Sequence, residues 1–374
     1  MTEQDFILKE YSKKNIENGS VTWESPSNIA LVKYWGKKKH QIPANPSISF
    51  TLSNCKTITT LSYTPKEDKV NFSFDVFLDG EKKDSFKPKI ETFFERVTPY
   101  LPFLKEYHFA IETKNTFPHS SGIASSASGM SALALCLMSL EKEISVIQRC
   151  HPGHVEGDSE ESQNYFNKKA SFLARLGSGS ACRSIEGDLI VWGKHKQFAN
   201  SSDLFGVKYP FEVHENFKNY QDTILLVDKG EKQVSSTVGH DLMHGHPFAE
   251  QRFNQAHNNL SKLITVFKEG DLKSFVGIVE SEALTLHAMM MTSMPYFILM
   301  KPNTLEIINK IWRFREETGS HVCFTLDAGA NVHVLYPDKE AKQVLEFIKS
   351  ELVVYCQNEQ YICDNIGFGA KKID

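Results

Sequence analysis

Residues 115–141 read NTFPHSSGIASSASGMSALALCLMSLE, a proline-punctuated loop that runs through small residues directly into a helix. Gly122, Ala124, Ala127 and Gly129 leave room for a close approach, and Ser120, Ser121, Ser125, Ser126 and Ser128 add hydroxyls beside the free N–H groups of a helix start. Phosphate is the natural guest of such a cradle. Met130, Leu133, Leu137 and Leu140 recur at helical spacing, which predicts an amphipathic helix with one face against a core. A Ser/Gly-rich turn capping an ordinary core helix reads the same stretch equally well. The Gly-Lys-Ser/Thr ending of the common phosphate loop does not occur, so a nucleotide site here is of another kind.

Upstream of this stretch the chain reads as strands. Residues 21–23 form a short one that breaks at Ser25-Pro26-Ser27 and resumes over 28–37, while 47–52, 57–63 and 70–78 alternate as half-buried strands do. Asp79-Gly80 is a hairpin turn into 82–86, so an antiparallel sheet accumulates before a helix at 89–97 and a strand at 108–113. Downstream, a polar acidic loop at 150–162 precedes a helix at 166–176 and a strand at 189–192. The polar run 194–203 is the candidate linker. The pattern then restarts with a strand at 223–228, helices at 254–267, 272–289 and 304–318, strands ending at Asp327 and spanning 332–336, and a last helix at 339–352. Strands first and helices later make this α+β rather than a repeating βαβ wind. A length of 374 residues exceeds what one core fills, and two domains are expected, 1–205 and 206–374.

Composition narrows the function classes. A net charge of −4 with 24% charged residues argues against a general nucleic-acid or membrane-surface binder, so any anionic ligand must be met by local charge. Seven scattered cysteines without metal spacing suit reduced thiols in the cytoplasm. No run has the length of a membrane span, and residues 1–20 lack the apolar core of a signal peptide. His240, His244 and His246 with Asp241, and His151, His154, Glu156 and Asp158, can each be drawn as a metal site, but each set lies on one segment and reads as solvated residues.

Three residues stand out chemically. Lys33 sits in an apolar strand-like run, where a buried ammonium needs an anionic partner and an edge lysine would instead snorkel to water. Arg183 ends a second small-residue turn, GSGSACR at 177–183, and its planar fork suits phosphate or carboxylate. Asp327 closes an apolar strand at a tight turn, the position of a general base or of a turn cap.

Taken in order, NIALVKYWGK (28–37), FPHSSGIASSASG (117–129), GSGSACRS (177–184), VSSTVG (234–239) and FTLDAGAN (324–331) resemble the diphosphomevalonate decarboxylases of the GHMP kinase superfamily. The resemblance runs from about residue 23 to 337 and implies a two-domain GHMP kinase fold: an N-terminal domain like domain 2 of ribosomal protein S5 and a ferredoxin-like C-terminal domain, with the site in the cleft. It implies ATP and Mg²⁺, and phosphorylation of the 3-hydroxyl of mevalonate 5-diphosphate followed by loss of phosphate and CO₂. By the same resemblance Asp327 orients or deprotonates the hydroxyl, Arg183 holds the carboxylate or the departing phosphate, and Lys33 adds positive charge. Ser120, Ser121, Gly122, Ala124, Ser125 and Ser126 would hold the ATP phosphates, with Mg²⁺ met through Ser125 or Ser126. Tyr34, Trp35, Gly36, Lys37, Ser178, Gly179, Ser180, Ala181, Cys182, Ser235, Ser236 and Thr237 would line the substrate pocket, with Lys89 added for the diphosphate. Ala330 stands where the family has proline, which predicts a looser turn. A phosphomevalonate decarboxylase, a mevalonate-type 3-kinase and a catalytically silent nucleotide binder are the alternatives, and a homodimer is the default assembly.

Overall fold

The computed structural model of the protein describes residues 1–7, 16–118, 123–144, 159–229 and 236–373. Two long strands carry its N-terminal half. Strand β1 (Gly19–Val32) is continuous across Pro26, and the break expected there is a shift of register between Pro26 and Asn28. A proline lacks one ladder donor, and a bulge absorbs that loss without ending the strand. A small ribbon of β2 (Lys37–Lys38) and β3 (Ile42–Pro43) follows, and then β4 (Ser47–Pro65), which joins two expected strands into one. The junction is held from afar: the Asp364 carboxylate accepts the backbone N–H groups of Ser53, Asn54 and Cys55 at 2.9, 2.9 and 2.7 Å.

Strands β5 (Ser73–Leu78) and β6 (Glu81–Lys82) form the expected hairpin, although β6 is only two residues long before helix α1 (Lys87–Val97). Strand β7 (Tyr107–Asn115) pairs antiparallel with β4 but parallel with β5, so the sheet that begins as antiparallel becomes mixed. A parallel neighbour needs a crossover, and α1 supplies it. Helix α2 (Ser125–Ile144) is likewise not amphipathic: every residue from Met130 to Glu141 is buried. Leu, Ala, Cys and Met face β1 and β4 on one side and helix α3 (Glu160–Gly177) on the other, so polar faces are excluded. Glu141, the charged exception, pairs with buried Lys169 of α3 at 2.6 Å. Strands β8 (Leu189–Trp192) and β9 (Val207–Lys208) extend the sheet beside β4.

The second half is built on β10 (Gln221–Leu225), α4 (Ser236–Asp241), α5 (Ala249–Glu269), α6 (Leu272–Met291), α7 (Pro302–Thr318), β11 (Cys323–Leu326), β12 (Val332–Tyr336), α8 (Ala341–Phe347) and β13 (Tyr361–Asn365). Its sheet runs β11-β12-β10-β13, all antiparallel. A final strand, β14 (Lys371–Lys372), returns to pair with β1. The two sheets share a core in which Ile29, Leu31 and Phe50 pack with Leu260, Phe267, Phe275 and Val279 of α5 and α6. That shared core fixes the end of β1 relative to the end of β11, and the site lies between those two ends. No described helix is long and apolar enough to cross a membrane.

Candidate active site

A cavity of about 450 Å³ opens where β1 ends, lined by residues from both halves. Lys33 lies just beyond β1 and Asp327 just beyond β11, and their side chains meet at 3.2 Å between Nζ and Oδ1. Lys33 is 2% exposed and Asp327 28%, so the carboxylate faces the cavity from a buried ammonium. Burial pulls the Lys33 pKa below its usual 10.5, and Arg183 adds to this, while Asp327 and Glu282 oppose it. The partner expected for Lys33 from its apolar surroundings is therefore this aspartate.

Arg183, 3% exposed, is held by three contacts. Its Nε donates to Asn28 Oδ1 at 3.3 Å, its Nη1 to Ser47 Oγ at 2.8 Å, and its guanidinium stands 5.6 Å from the centre of the Trp192 ring. Among the described residues no carboxylate forms an ion pair with it. A buried cation fixed by neutral partners at the wall of a cavity is a site for an external anion.

The turn carrying Arg183 decides which of its neighbours reach the cavity. Residues Gly179–Arg183 form a 3-10 turn, in which positions three apart eclipse. Ser180 and Arg183 accordingly share the cavity face with Ser178 and Gly179. Ala181 and Cys182, expected among the substrate contacts, turn into the core instead, where Cys182 Sγ donates to the Gly179 carbonyl. Ser126, in the first turn of α2, stands 3.5 Å from Ser178 between hydroxyl oxygens, which brings the two small-residue loops together. Ala124 and Ser126 line the cavity and Ser125 does not. Ser120, Ser121, Gly122 and Ser235 lie outside the described residues, as does most of the acidic stretch, while Ser236 and Thr237 open helix α4.

Tyr34, Trp35 and Lys37 all line the cavity, and Lys89 joins them from α1. The Tyr34 hydroxyl is buried without a hydrogen-bond partner among the described residues, and burial raises its pKa. Gly36 stays behind the wall, where its N–H donates to His240 Nδ1 at 3.0 Å. Its φ is +91°, and a Cβ there would stand 3.0 Å from Phe253 and 3.1 Å from Ala44. Gly36→Ala is expected to cost about 1–3 kcal/mol of stability from backbone strain, read as a fall in melting temperature. An unchanged melting temperature would show that the turn relaxes freely.

Among the polar cavity residues, Gln41, Thr92 and Arg96 were not singled out in the sequence, and His240 was read only as a solvated or metal-site candidate. For two of them a signal existed, since Lys89, Thr92 and Arg96 fall at i, i+3 and i+7 on one face of α1. Arg96 is anchored by its Nη1 bond to the Leu176 carbonyl at 2.9 Å. His240 lies against the rings of Tyr34 and Trp35, at 4.2 and 4.6 Å between centres, and burial with Lys37 and Arg183 nearby pushes its pKa down to about 3. It is a neutral wall of the pocket. His246 bonds the Met289 carbonyl at 3.1 Å, so these two histidines of the run pack α4 and its following turn rather than converge on one point. The turn after Asp327 is tight despite Ala330, because Thr304 Oγ1 donates to the Ala330 carbonyl at 2.7 Å and Asn331 Oδ1 accepts the Asp228 N–H at 2.9 Å.

Lys33, Lys37, Lys89, Arg96 and Arg183 thus line a cavity whose one acidic lining residue, among the described residues, is Asp327. In a chain of net charge −4 this concentration of cations marks a polyanion site with a single carboxylate to act on it. The fold and the sequence have clear relatives. Residues 25–203 match the diphosphomevalonate decarboxylase-like N-terminal domain and residues 223–368 the mevalonate 5-diphosphate decarboxylase C-terminal domain. The diphosphomevalonate decarboxylase of Gibberella zeae is 28% identical over 85% of this chain and 81% of its own length, and that of Homo sapiens 27% identical over 88% and 79%. Among solved structures, the mevalonate diphosphate decarboxylase of Staphylococcus aureus superposes with a TM-score of 0.77 at 27% identity, over 96% of this chain and 98% of that one. The complex of MDDEF with MVAPP, AMPPCP and magnesium reaches a TM-score of 0.78 at 26% identity, over 96% and 99%. With both domain models matched in order and the relatives aligned over most of their length, the chain belongs to the diphosphomevalonate decarboxylase family.

Proposed function

We propose that this carboxy-lyase uses ATP to phosphorylate the tertiary 3-hydroxyl of mevalonate 5-diphosphate and then expels that phosphate together with CO₂, giving isopentenyl diphosphate, ADP and inorganic phosphate. The observation that carries the reading is the five cations that share one cavity with Asp327, since a diphosphate, a carboxylate and a triphosphate must all be gripped at once. Asp327 orients the 3-hydroxyl and accepts its proton as the oxygen attacks the γ-phosphorus. Lys33 holds that carboxylate in place and opposes charge on the transferring group. Arg183 takes the substrate carboxylate or the departing phosphate. When the C–O bond to phosphate breaks, its electron pair leaves with the phosphate. The pair released from the carboxylate bond then closes the new double bond.

Lys37, Lys89 and Arg96 are assigned to the diphosphate, and Tyr34, Trp35, His240, Ser178 and Ser180 to the body of the substrate. Ala124, Ser125 and Ser126, with Ser120, Ser121 and Gly122, are assigned to the ATP phosphates at the start of α2. Of Ser125 and Ser126, the Ser126 hydroxyl, exposed beside Ser178, would be the one to hold Mg²⁺. When bound it neutralises charge on the β- and γ-phosphates. The same reading divides the chain into residues 1–205, with the phosphate loop, and 206–374, with Asp327. Reduced buried thiols at Cys55, Cys136, Cys182, Cys323 and Cys356 support a cytoplasmic location. A homodimer is the commonest closed assembly, and a monomeric mass by light scattering would remove it.

The test supplies Mg-ATP with mevalonate 5-diphosphate or mevalonate 5-phosphate and scores ADP, phosphate and CO₂ together. Equal release of all three from the diphosphate is expected. ADP alone would make the protein a 3-kinase, preference for the monophosphate would reassign the substrate, and nucleotide binding with no product would make it a silent binder. A pH profile adds a second check. Activity needs the Lys33 ammonium, whose pKa lies below 10.5, so kcat should fall with rising pH before an ordinary lysine would titrate. In Lys33→Arg whatever activity remains should lack that alkaline limb, and an identical limb would assign it to another group.

A further inference from the structure

Lys33 lies just past the end of β1, where ladder pairing has stopped, yet both of its backbone groups are satisfied by side chains. Its N–H donates to Glu282 Oε2 at 2.9 Å, and its carbonyl accepts from Arg252 Nη2 at 3.1 Å and from Asn45 Nδ2 at 2.9 Å. Glu282 of α6 and Arg252 of α5 are both 0% exposed and face each other fork to fork, with Arg252 Nη1 on Glu282 Oε1 at 3.1 Å. Asn259 Nδ2 adds a third donor to Glu282 at 2.6 Å. Five residues further along α6, His287 Nε2 donates to the Asp327 carbonyl at 3.1 Å. One helix therefore grips the main chain at Lys33 and at Asp327, on either side of the 3.2 Å ion pair.

A buried ion pair is weak evidence of a stabilising role, because apolar residues of similar volume often serve the fold as well. Geometry offers a more specific role for this one. We propose that Glu282, locked by Arg252, is a positioning residue that fixes the Lys33 main chain and so sets where its ammonium stands against Asp327. The inference rests on the functional reading above, in which that ion pair orients the phosphoryl acceptor. Neither Glu282 nor Arg252 lines the cavity, so both act through Lys33. Misplacement by about 1 Å from residues away from the chemistry is enough to cost about 10²-fold in rate.

The experiment compares wild type, Glu282→Gln and the double variant Arg252→Met/Glu282→Met, reading kcat as ADP release, KM for ATP and melting temperature. The double variant removes both charges together and leaves no orphan ion, so it should stay folded. Its kcat is expected to fall about 10²-fold with KM for ATP within about threefold of wild type. Glu282→Gln keeps an acceptor oxygen for the Lys33 N–H but loses the charge that locks Arg252, so its kcat should fall about threefold to tenfold and stay at least about tenfold above that of the double variant. A folded double variant with wild-type kcat, a glutamine variant with native kcat, or a glutamine variant no faster than the double would overturn the proposal. Should the double variant fail to fold, Glu282→Gln decides alone: a fall in kcat of about threefold or more at native KM for ATP supports it, and native kcat sinks it. Failure of the functional reading is separate, because it would show in the wild type itself, as ADP release without CO₂, as preference for the monophosphate, or as no ADP release at all.

Discussion

Asp327→Asn is expected to lower kcat by about 10³-fold or more while ATP and mevalonate 5-diphosphate still bind. The substitution preserves shape. The contacts that hold the turn use the Asp327 main chain, whose carbonyl accepts from the Gly329 N–H at 2.7 Å and from His287 Nε2 at 3.1 Å, and these survive. What is lost is the proton acceptor and, with it, the charge that opposes desolvation of Lys33. The buried lysine then loses its strongest reason to stay protonated, so one change weakens both members of the pair. Calorimetric titration with a nonhydrolysable ATP analogue and substrate should give affinities near wild type beside a collapsed single-turnover rate. A single-turnover rate within about tenfold of wild type would remove Asp327 as the base.

Lys33 and Asp327 were legible in the sequence for a common reason: each is a charge in an apolar run, and burial without a partner is expensive. Which partner each would find was not legible, because 294 residues separate them and only the shared core of β1, β4, α5 and α6 brings them together. The strands were readable by alternation, but their continuity was not. Pro26 looks like a terminator in sequence, and the strand passes it by a register shift that depends on its long partner β4. Helix α2 was misjudged for a related reason. Its leucines have helical spacing, yet Ala132, Ala134, Cys136 and Ser139 fill the remaining faces and are small enough to bury on every side. His240 could not be found by motif, since it acts as an aromatic wall against Tyr34 and Trp35 rather than as a ligand. Arg252 lies just before the helix read at 254–267 and Glu282 inside the one read at 272–289, with no local feature to single either out, and only their pairing across α5 and α6 shows them buried.

Arg183→Lys, which preserves the charge, should nonetheless cost about 10²–10³-fold in kcat, the scale of removing a preorganised donor from developing negative charge. The three guanidinium nitrogens are used differently. Nε and Nη1 are committed to Asn28 and Ser47, which leaves Nη2 without a protein partner among the described residues. The two committed bonds fix the plane of the guanidinium, and the Trp192 ring stands 5.6 Å from its centre. A lysine ammonium has no such plane: reaching Ser47 it would leave Asn28 unsatisfied, and reaching the cavity it would leave both. Asn28 would keep its other contacts, Nδ2 to Ser184 Oγ at 2.8 Å and to the Ser180 carbonyl at 3.2 Å, so the turn should persist and the melting temperature change little. Loss of kcat at a native melting temperature would therefore locate the effect in the donor geometry. Full activity would show that a point charge is enough at this position, and that the pocket selects its anion by potential rather than by the direction of its hydrogen bonds.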